Sequence, residues 1–396
     1  MSNPEAASST TGRLDFIDSL RGFALFGVFW ANLLIFSGIG YMSDEQRASS
    51  FPSSIDAIAY YLEHFLIEYK FMGLFSFLFG ISFWLFLSRV RAREGAATGL
   101  FYRRIFWLFV IGAIHGWLFW CFDILRFYAL WAILLPLFVR TPPRRLLCLA
   151  LIAAILLPAV VSVLRIWMAA PEPATDFDAM ALNAFSNGSY REFLIANWKY
   201  DWYLTLDIGQ LGYQVAVFGR LLLGLYAARS LALGKLDRHR PMLGRVLIVG
   251  GLVGVLGNFL YAGNYLDGNS APLSFLRRLL FESGRLGLTL FYAAALALLF
   301  LIPRWRRVIQ LLAPVGKMAL TCYLAQTAFG LWMFYYFAHG PGLMGKVGPA
   351  LLALLAVLGF LVQIVCARAW LKRFRFGPAE WAWRSLTYWK TQPFRI

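Results

Sequence analysis

The chain has 396 residues, of which 60% are hydrophobic and 14% charged. A soluble domain carries about a quarter charged residues; repeated apolar stretches of roughly 18 residues or more mark a polytopic membrane protein instead. The formal net charge of +17 does not signal nucleic acid, because the basic residues cluster in alternate loops as the positive-inside rule requires.

The sequence predicts an all-α helix bundle forming one membrane domain over residues 1–396. About ten spans are expected, at 19–39, 66–88, 103–121, 124–140, 146–168, 208–231, 243–263, 284–302, 312–337 and 347–370. A polar tail, 1–15, precedes the first span, which shows no small-residue cleavage site and reads as retained. That span opens Arg13-Leu-Asp15-Phe-Ile-Asp18-Ser-Leu-Arg21-Gly22. Charges this close to a membrane core are expensive and are usually paired. Asp18 and Arg21 stand at i and i+3, where helical side chains meet. Asn32 falls at mid-depth of the same span, where an amide hydrogen-bonds between helices.

Residues 53–65 read as an amphipathic helix on the outer surface. The longer outer loop, 169–205, is placed to cover a site. Basic residues occupy Arg89–Arg104, Arg140–Arg145, Arg229–Arg245, Arg304–Arg307 and the tail 371–396; acidic ones occupy Asp44–Asp56, Glu172–Asp201 and Asp267–Glu282. The alternation puts both termini on the cytoplasmic side.

The third span carries His115, alone among the four histidines in lying deep within a span. Eleven residues separate it from Arg104, which at about 1.5 Å per residue is roughly 16 Å, near the midplane. Histidine titrates near neutrality and is the commonest general base; a histidine bonded between helices leaves the same trace. Asp123 follows in the tight outer turn, placed to orient His115, to bind a substrate, or to pair with Arg126 and cap the next helix. Arg21 and Arg104 lie at the inner ends of their spans, where guanidinium groups hold phosphates or anchor the protein. Arg220 and Arg285 are embedded and need partners. The four cysteines are scattered without metal spacing, so no metal is expected.

Several segments together resemble a known family. They are Arg13–Asn32, Lys70–Gly80, Gly112–Ala129 (Gly-x-x-His-x7-Asp-Ile-Leu-x-x-Tyr-Ala), Pro314–Gln326 and Gly377–Tyr388. The pattern is similar to the YeiB-like family, bacterial membrane proteins carrying a domain of unknown function, over nearly the whole chain. Lys317 and Cys322 stand where that family more often has Arg and Asn. The opening motif is also similar to the start of transmembrane acyltransferases, both the acyltransferase-three and the glucosaminide acetyltransferase families. That likeness implies acyl transfer from cytosolic acyl-CoA, acetyl-CoA foremost, to a small-molecule or envelope-glycan acceptor at or across the bacterial cytoplasmic membrane. It places Asp18, Arg21 and Asn32, with Arg104, on the cofactor side, and the Arg104–His115 spacing matches the acyltransferase-three pattern of a basic residue, ten others and a histidine. His115 then serves as base or acyl carrier, with Asp123 beside it. The partner is the lipid bilayer, not nucleic acid. The alternatives are a transporter or flippase with His115, Arg220 and Arg285 along a path, and an envelope-interaction protein binding through 169–205.

Overall fold

The computed structural model describes residues 4–94, 97–168, 176–231, 236–262 and 271–396. Among them the chain is almost wholly helical, with one isolated β-bridge between Phe374 and Arg395. In chain order the helices are α1 Pro4–Phe36, α2 Asp44–Ser50, α3 Ser54–Leu62, α4 Lys70–Glu94, α5 Ala97–Leu118 and α6 Leu125–Ala132. Then come α7 Pro143–Leu151, α8 Leu157–Trp167, α9 Phe177–Asn187, α10 Tyr190–Leu206, α11 Ile208–Ser230 and α12 Arg240–Ala262. The last are α13 Ala271–Phe300, α14 Pro303–Ile309, α15 Ala313–Lys317, α16 Ala319–Phe334, α17 Pro349–Trp370 and α18 Pro378–Tyr388.

Seven helical stretches among the described residues are long and apolar enough to cross a membrane, and an eighth arises if Pro303–Lys317 and Ala319–Phe334, bent by 78°, count as one broken span. The protein is therefore an all-α, multi-pass membrane bundle. With that pair counted as one span, two of the ten expected spans still do not meet the same measure. Helix α5 carries Arg103, Arg104 and His115, which lower its apolarity. The segment 124–140 is not one helix: α6 ends at Ala132, and a 3-10 turn follows over Leu135–Phe138, where Pro136 cannot extend an α-helix.

Helix α1 lies at the centre, packed on α4, α15, α16 and α17. Its contact with α15 is backbone on backbone. A Cβ at Gly22 would collide with the Leu312 carbonyl oxygen, and one at Gly316 with that of Asp18. These two glycines bring together the segments around Asp18–Arg21 and Pro314–Lys317, which are 295 residues apart at the Arg21–Gly316 contact. Helix α12 is peripheral and turns Ile248 and Leu252 outward, 63% and 68% exposed, toward lipid.

The segment expected as an amphipathic outer helix is α3, joined to α4 by a π turn over Glu63–Ile67. The Asp56 carboxylate accepts the Ala350 backbone N–H at 2.9 Å, capping the start of α17. Of the expected outer loop 169–205, residues 169–175 lie outside the described residues, as do Glu172 and Asp267 and residues 1–3 of the N-terminal tail; the rest of that loop forms α9 and α10. After α17 the tail folds back. Trp370, Phe374, Phe394 and Trp381 pack ring on ring, and α18 lies against α5 and α16. Glu380 on α18 accepts the Leu320 and Thr321 backbone N–H groups at 2.6 and 3.1 Å and the Thr321 hydroxyl at 2.6 Å. It caps α16 from outside that helix, satisfying donors a helix start leaves open. Burial pushes its carboxyl above the usual carboxylate range, against the hydrogen bonds from Thr321.

Candidate functional site

His115 is 4% exposed on the last turn of α5. Its Nδ1–H donates to Asp123 Oδ2 at 2.7 Å, and its Nε2 stands 2.9 Å from Thr327 Oγ1 on α16. Asp123 Oδ1 also accepts the Arg126 backbone N–H at 2.9 Å. A carboxylate with these two donors fixes the ring tautomer with the proton on Nδ1, so neutral Nε2 accepts from the Thr327 hydroxyl. An acid, an imidazole and a hydroxyl stand in line, the arrangement that activates a hydroxyl for proton removal.

Local sequence explains the line. Gly112 lies one turn before His115 on α5, and a Cβ there would press on Asp123 Oδ1 at 2.9 Å. A glycine is what lets the 119–124 turn fold back onto its own helix. Asp123 caps the first turn of α6 through the Arg126 backbone, but the Arg126 guanidinium goes elsewhere. It forms a two-pronged pair with Asp201 of α10, one arm of which is 2.7 Å long. Asn197 of α10 accepts the Cys121 N–H at 2.8 Å and donates to the Gly116 carbonyl at 2.9 Å. Helix α10 thus closes one side of the His115 turn.

On the other side a cavity of about 940 Å³ lies among α1, α4, α5, α16 and the C-terminal tail. Its basic end holds Arg21, Arg104, Lys317 and Arg384, with Asp18 and Glu380 among them. Its middle is apolar, with Phe79, Phe83 and Leu108, and its deep end is formed by Leu125, Tyr128 and Tyr323. His115 does not itself line this space: the Tyr323 ring stands between, 5.2 Å from the imidazole centre to centre.

At the basic end Arg21 Nη1 donates to Asp18 Oδ1 at 2.6 Å and to the Gly316 carbonyl at 3.1 Å, while Nη2 donates to Ser82 Oγ at 3.0 Å. The expected Asp18–Arg21 pair therefore forms at the cavity wall. Arg104 stacks on Trp383 at 3.7 Å, and the Trp383 indole N–H donates to the Arg104 carbonyl at 2.8 Å. Arg384 Nε is buried without a hydrogen-bond partner. Lys317 pairs with Asp15 at 3.2 Å. Asn32 is buried and does not border the cavity.

Arg220 and Arg285 find their partner in Glu282, at 2.8 and 2.9 Å, and Arg278 joins at 3.0 Å. Neither Arg220 nor Arg285 lines the cavity. Among the described residues no group of three or more His, Cys, Asp or Glu is placed to hold a metal.

Sequence reasoning missed Thr327, Tyr323, Asp201 and Glu282 as partners. Thr327 and Tyr323 are uncharged and one helical turn apart in an apolar span, so nothing in charge or hydropathy marks them. Their one signal is position: Tyr323 falls inside the segment Pro314–Gln326, and Thr327 directly follows it.

Comparison with known proteins matches residues 227–390 to the family described as "Protein of unknown function (DUF418)". The chain is 32% identical to the uncharacterized protein YxaH of Bacillus subtilis (strain 168), over 97% of this chain and 96% of that one. It is 30% identical to an uncharacterized 39.9 kDa protein in the amylase 3' region of Bacillus acidopullulyticus, over 98% and 96% of the two chains. It is 27% identical to the uncharacterized protein YeiB of Escherichia coli (strain K12), over 94% and 95%. Full-length similarity of this extent, with the helical membrane architecture, makes the chain a member of the YeiB-like DUF418 family.

Proposed function

We propose that the protein is a membrane acyltransferase. It takes an acyl group from acyl-CoA, acetyl-CoA foremost, and passes it to a hydroxyl or amine of a small molecule or envelope glycan at the bacterial cytoplasmic membrane, with both termini in the cytoplasm. The observation that carries this reading is one cavity with cations at one end and the Tyr323–His115 contact at the other. Helix α5 runs along its wall, and the eleven residues from Arg104 to His115 span about 16 Å. An elongated ligand with an anionic head and a less polar arm fits such a space. Arg21, Arg104 and Arg384 face the phosphates, and the apolar middle takes the arm. The thioester reaches the deep end.

In this reading the acceptor oxygen or nitrogen attacks the thioester carbonyl carbon. Its proton passes through the Thr327 hydroxyl to His115 Nε2, and Asp123 stabilises the imidazolium that forms. The tetrahedral intermediate collapses, the C–S bond breaks, and the leaving sulfur takes the proton back from the imidazolium. The products are an ester or amide and free CoA.

The closure of Arg220 and Arg285 on Glu282, off the cavity lining, favours this reading over a transport path shared by all three. The test is ligand stabilisation of the purified protein. Millimolar acetyl-CoA should raise its unfolding temperature, and Arg21→Ala should weaken the effect. No shift with acetyl-CoA or a longer acyl-CoA would overturn the proposal.

A further inference from the structure

Two tyrosines close the deep end of the cavity, and their hydroxyls are treated differently. Tyr128 is satisfied: its hydroxyl donates to the Met72 carbonyl at 2.9 Å and accepts from Ser76 Oγ at 2.9 Å. The hydroxyl of Tyr323 is buried and faces the Ile124 backbone N–H, but no protein group accepts its proton; the side chain is 2% exposed and lines the cavity. A buried hydroxyl proton without an acceptor is costly, and such a group calls for an explanation, of which a bound ligand is one. The same ring lies 5.2 Å from His115. One turn later on the same helix, Thr327 bonds Nε2 of that histidine.

We propose that the Tyr323 hydroxyl is the hydrogen-bond donor for the carbonyl oxygen of the acyl group bound at the cavity's deep end. This deepens the acyl-transfer reading and rests on it. The deep end is otherwise apolar or already paired, so a carbonyl entering it meets a single open donor. That donor sits beside the imidazole and the threonine that carry the acceptor's proton. As the acceptor adds to the carbonyl carbon, the C=O π pair moves onto the oxygen that Tyr323 holds. A donor aimed there binds the oxyanion more strongly than the neutral carbonyl, and this difference accelerates the step. When the C–S bond breaks, the pair returns and the Tyr323 proton has not been transferred.

The test compares two ligands that differ only at that oxygen. Acetyl-CoA carries the carbonyl; the thioether S-ethyl-CoA has a methylene in its place. Calorimetry on the detergent-solubilised full chain should show acetyl-CoA binding about two- to tenfold tighter than S-ethyl-CoA. In Tyr323→Phe the two should bind equally, with the affinity for S-ethyl-CoA unchanged. Because the hydroxyl proton has no acceptor within the protein, Tyr323→Phe should still fold and unfold within a few degrees of the native chain. Equal binding of both ligands by the native chain would overturn the assignment while leaving CoA binding intact. So would a preference that survives in Tyr323→Phe, or a loss of folding in that variant, which would give the hydroxyl a structural task. Failure of the native chain to bind either ligand would instead overturn the acyl-CoA reading itself.

Discussion

Of the buried charged clusters among the described residues, two have contrasting surroundings. In the first, Glu282 carries Arg220, Arg278 and Arg285, all on α11 and α13. Glu282 is fully buried, and no member borders the cavity. In the second, Asp123 holds His115, while Arg126 is taken up by Asp201. This leaves the imidazole bonded to a neutral hydroxyl, next to the ring that closes the cavity. Burial and charge are common to both. What separates them is that the second holds an imidazole bonded to a neutral hydroxyl, one ring away from the cavity, while the first is made of ion pairs between charged groups. An ionisable residue within a membrane is therefore a starting point for a functional argument, and its neighbours decide the outcome.

The comparison breaks most readily at His115. With His115→Gln, acetyl-CoA turnover should fall about a hundred- to ten-thousand-fold, the usual worth of a general base, while the protein still folds and binds acetyl-CoA. Unchanged turnover would move His115 into the structural class with Glu282. The mirror experiment is Glu282→Gln, which leaves the buried Arg220 and Arg285 without their counter-charge. Breaking a buried pair costs about 3–5 kcal/mol, so folded yield and unfolding temperature should drop sharply. Protein that does fold should bind acetyl-CoA like the native chain. A stable Glu282→Gln protein that has lost binding would reverse the assignment of the two clusters.

A smaller effect sharpens the account of the cavity's wall. Burial raises the Glu380 carboxyl above its free value, so the folded state holds that proton more firmly than the unfolded state does. Its contribution is then greatest below the ordinary glutamate value of about 4.3. It declines as pH rises from there through the raised value. In Glu380→Gln this part of the pH dependence of the unfolding temperature should vanish. An unchanged profile would mean that the carboxylate sits on Thr321 and Leu320 without a burial penalty.

Much of the fold was legible because long apolar runs leave few alternatives to spanning helices. The Asp18–Arg21 pair followed from i,i+3 spacing; for Asp123 the tight turn left His115, a substrate and Arg126 as partners, and the structure brings it to His115 and the Arg126 backbone. Other features were out of reach for physical reasons. Pro136 and the bend between α15 and α16 break stretches whose composition is continuous. Asp201 lies 75 residues from Arg126, and Thr327 lies 212 from His115; no periodicity encodes contacts at that range. The Gly22–Gly316 contact was equally hidden, although it explains why a glycine follows Arg21 and another precedes Lys317. Glu380 lies about 60 residues from the α16 backbone groups it caps, and no local pattern encodes that contact.

In the proposed reading one cavity runs from a cationic phosphate end to the Tyr323 ring, which abuts His115. The most direct measurement is the structure of the full chain with acetyl-CoA bound. The account places the CoA phosphates among Arg21, Arg104 and Arg384, the arm along Phe79, Phe83 and Leu108, and the thioester against Tyr323 on the His115 side. Acetyl-CoA bound elsewhere on the molecule, or seated in the cavity with its thioester turned away from Tyr323, would contradict it.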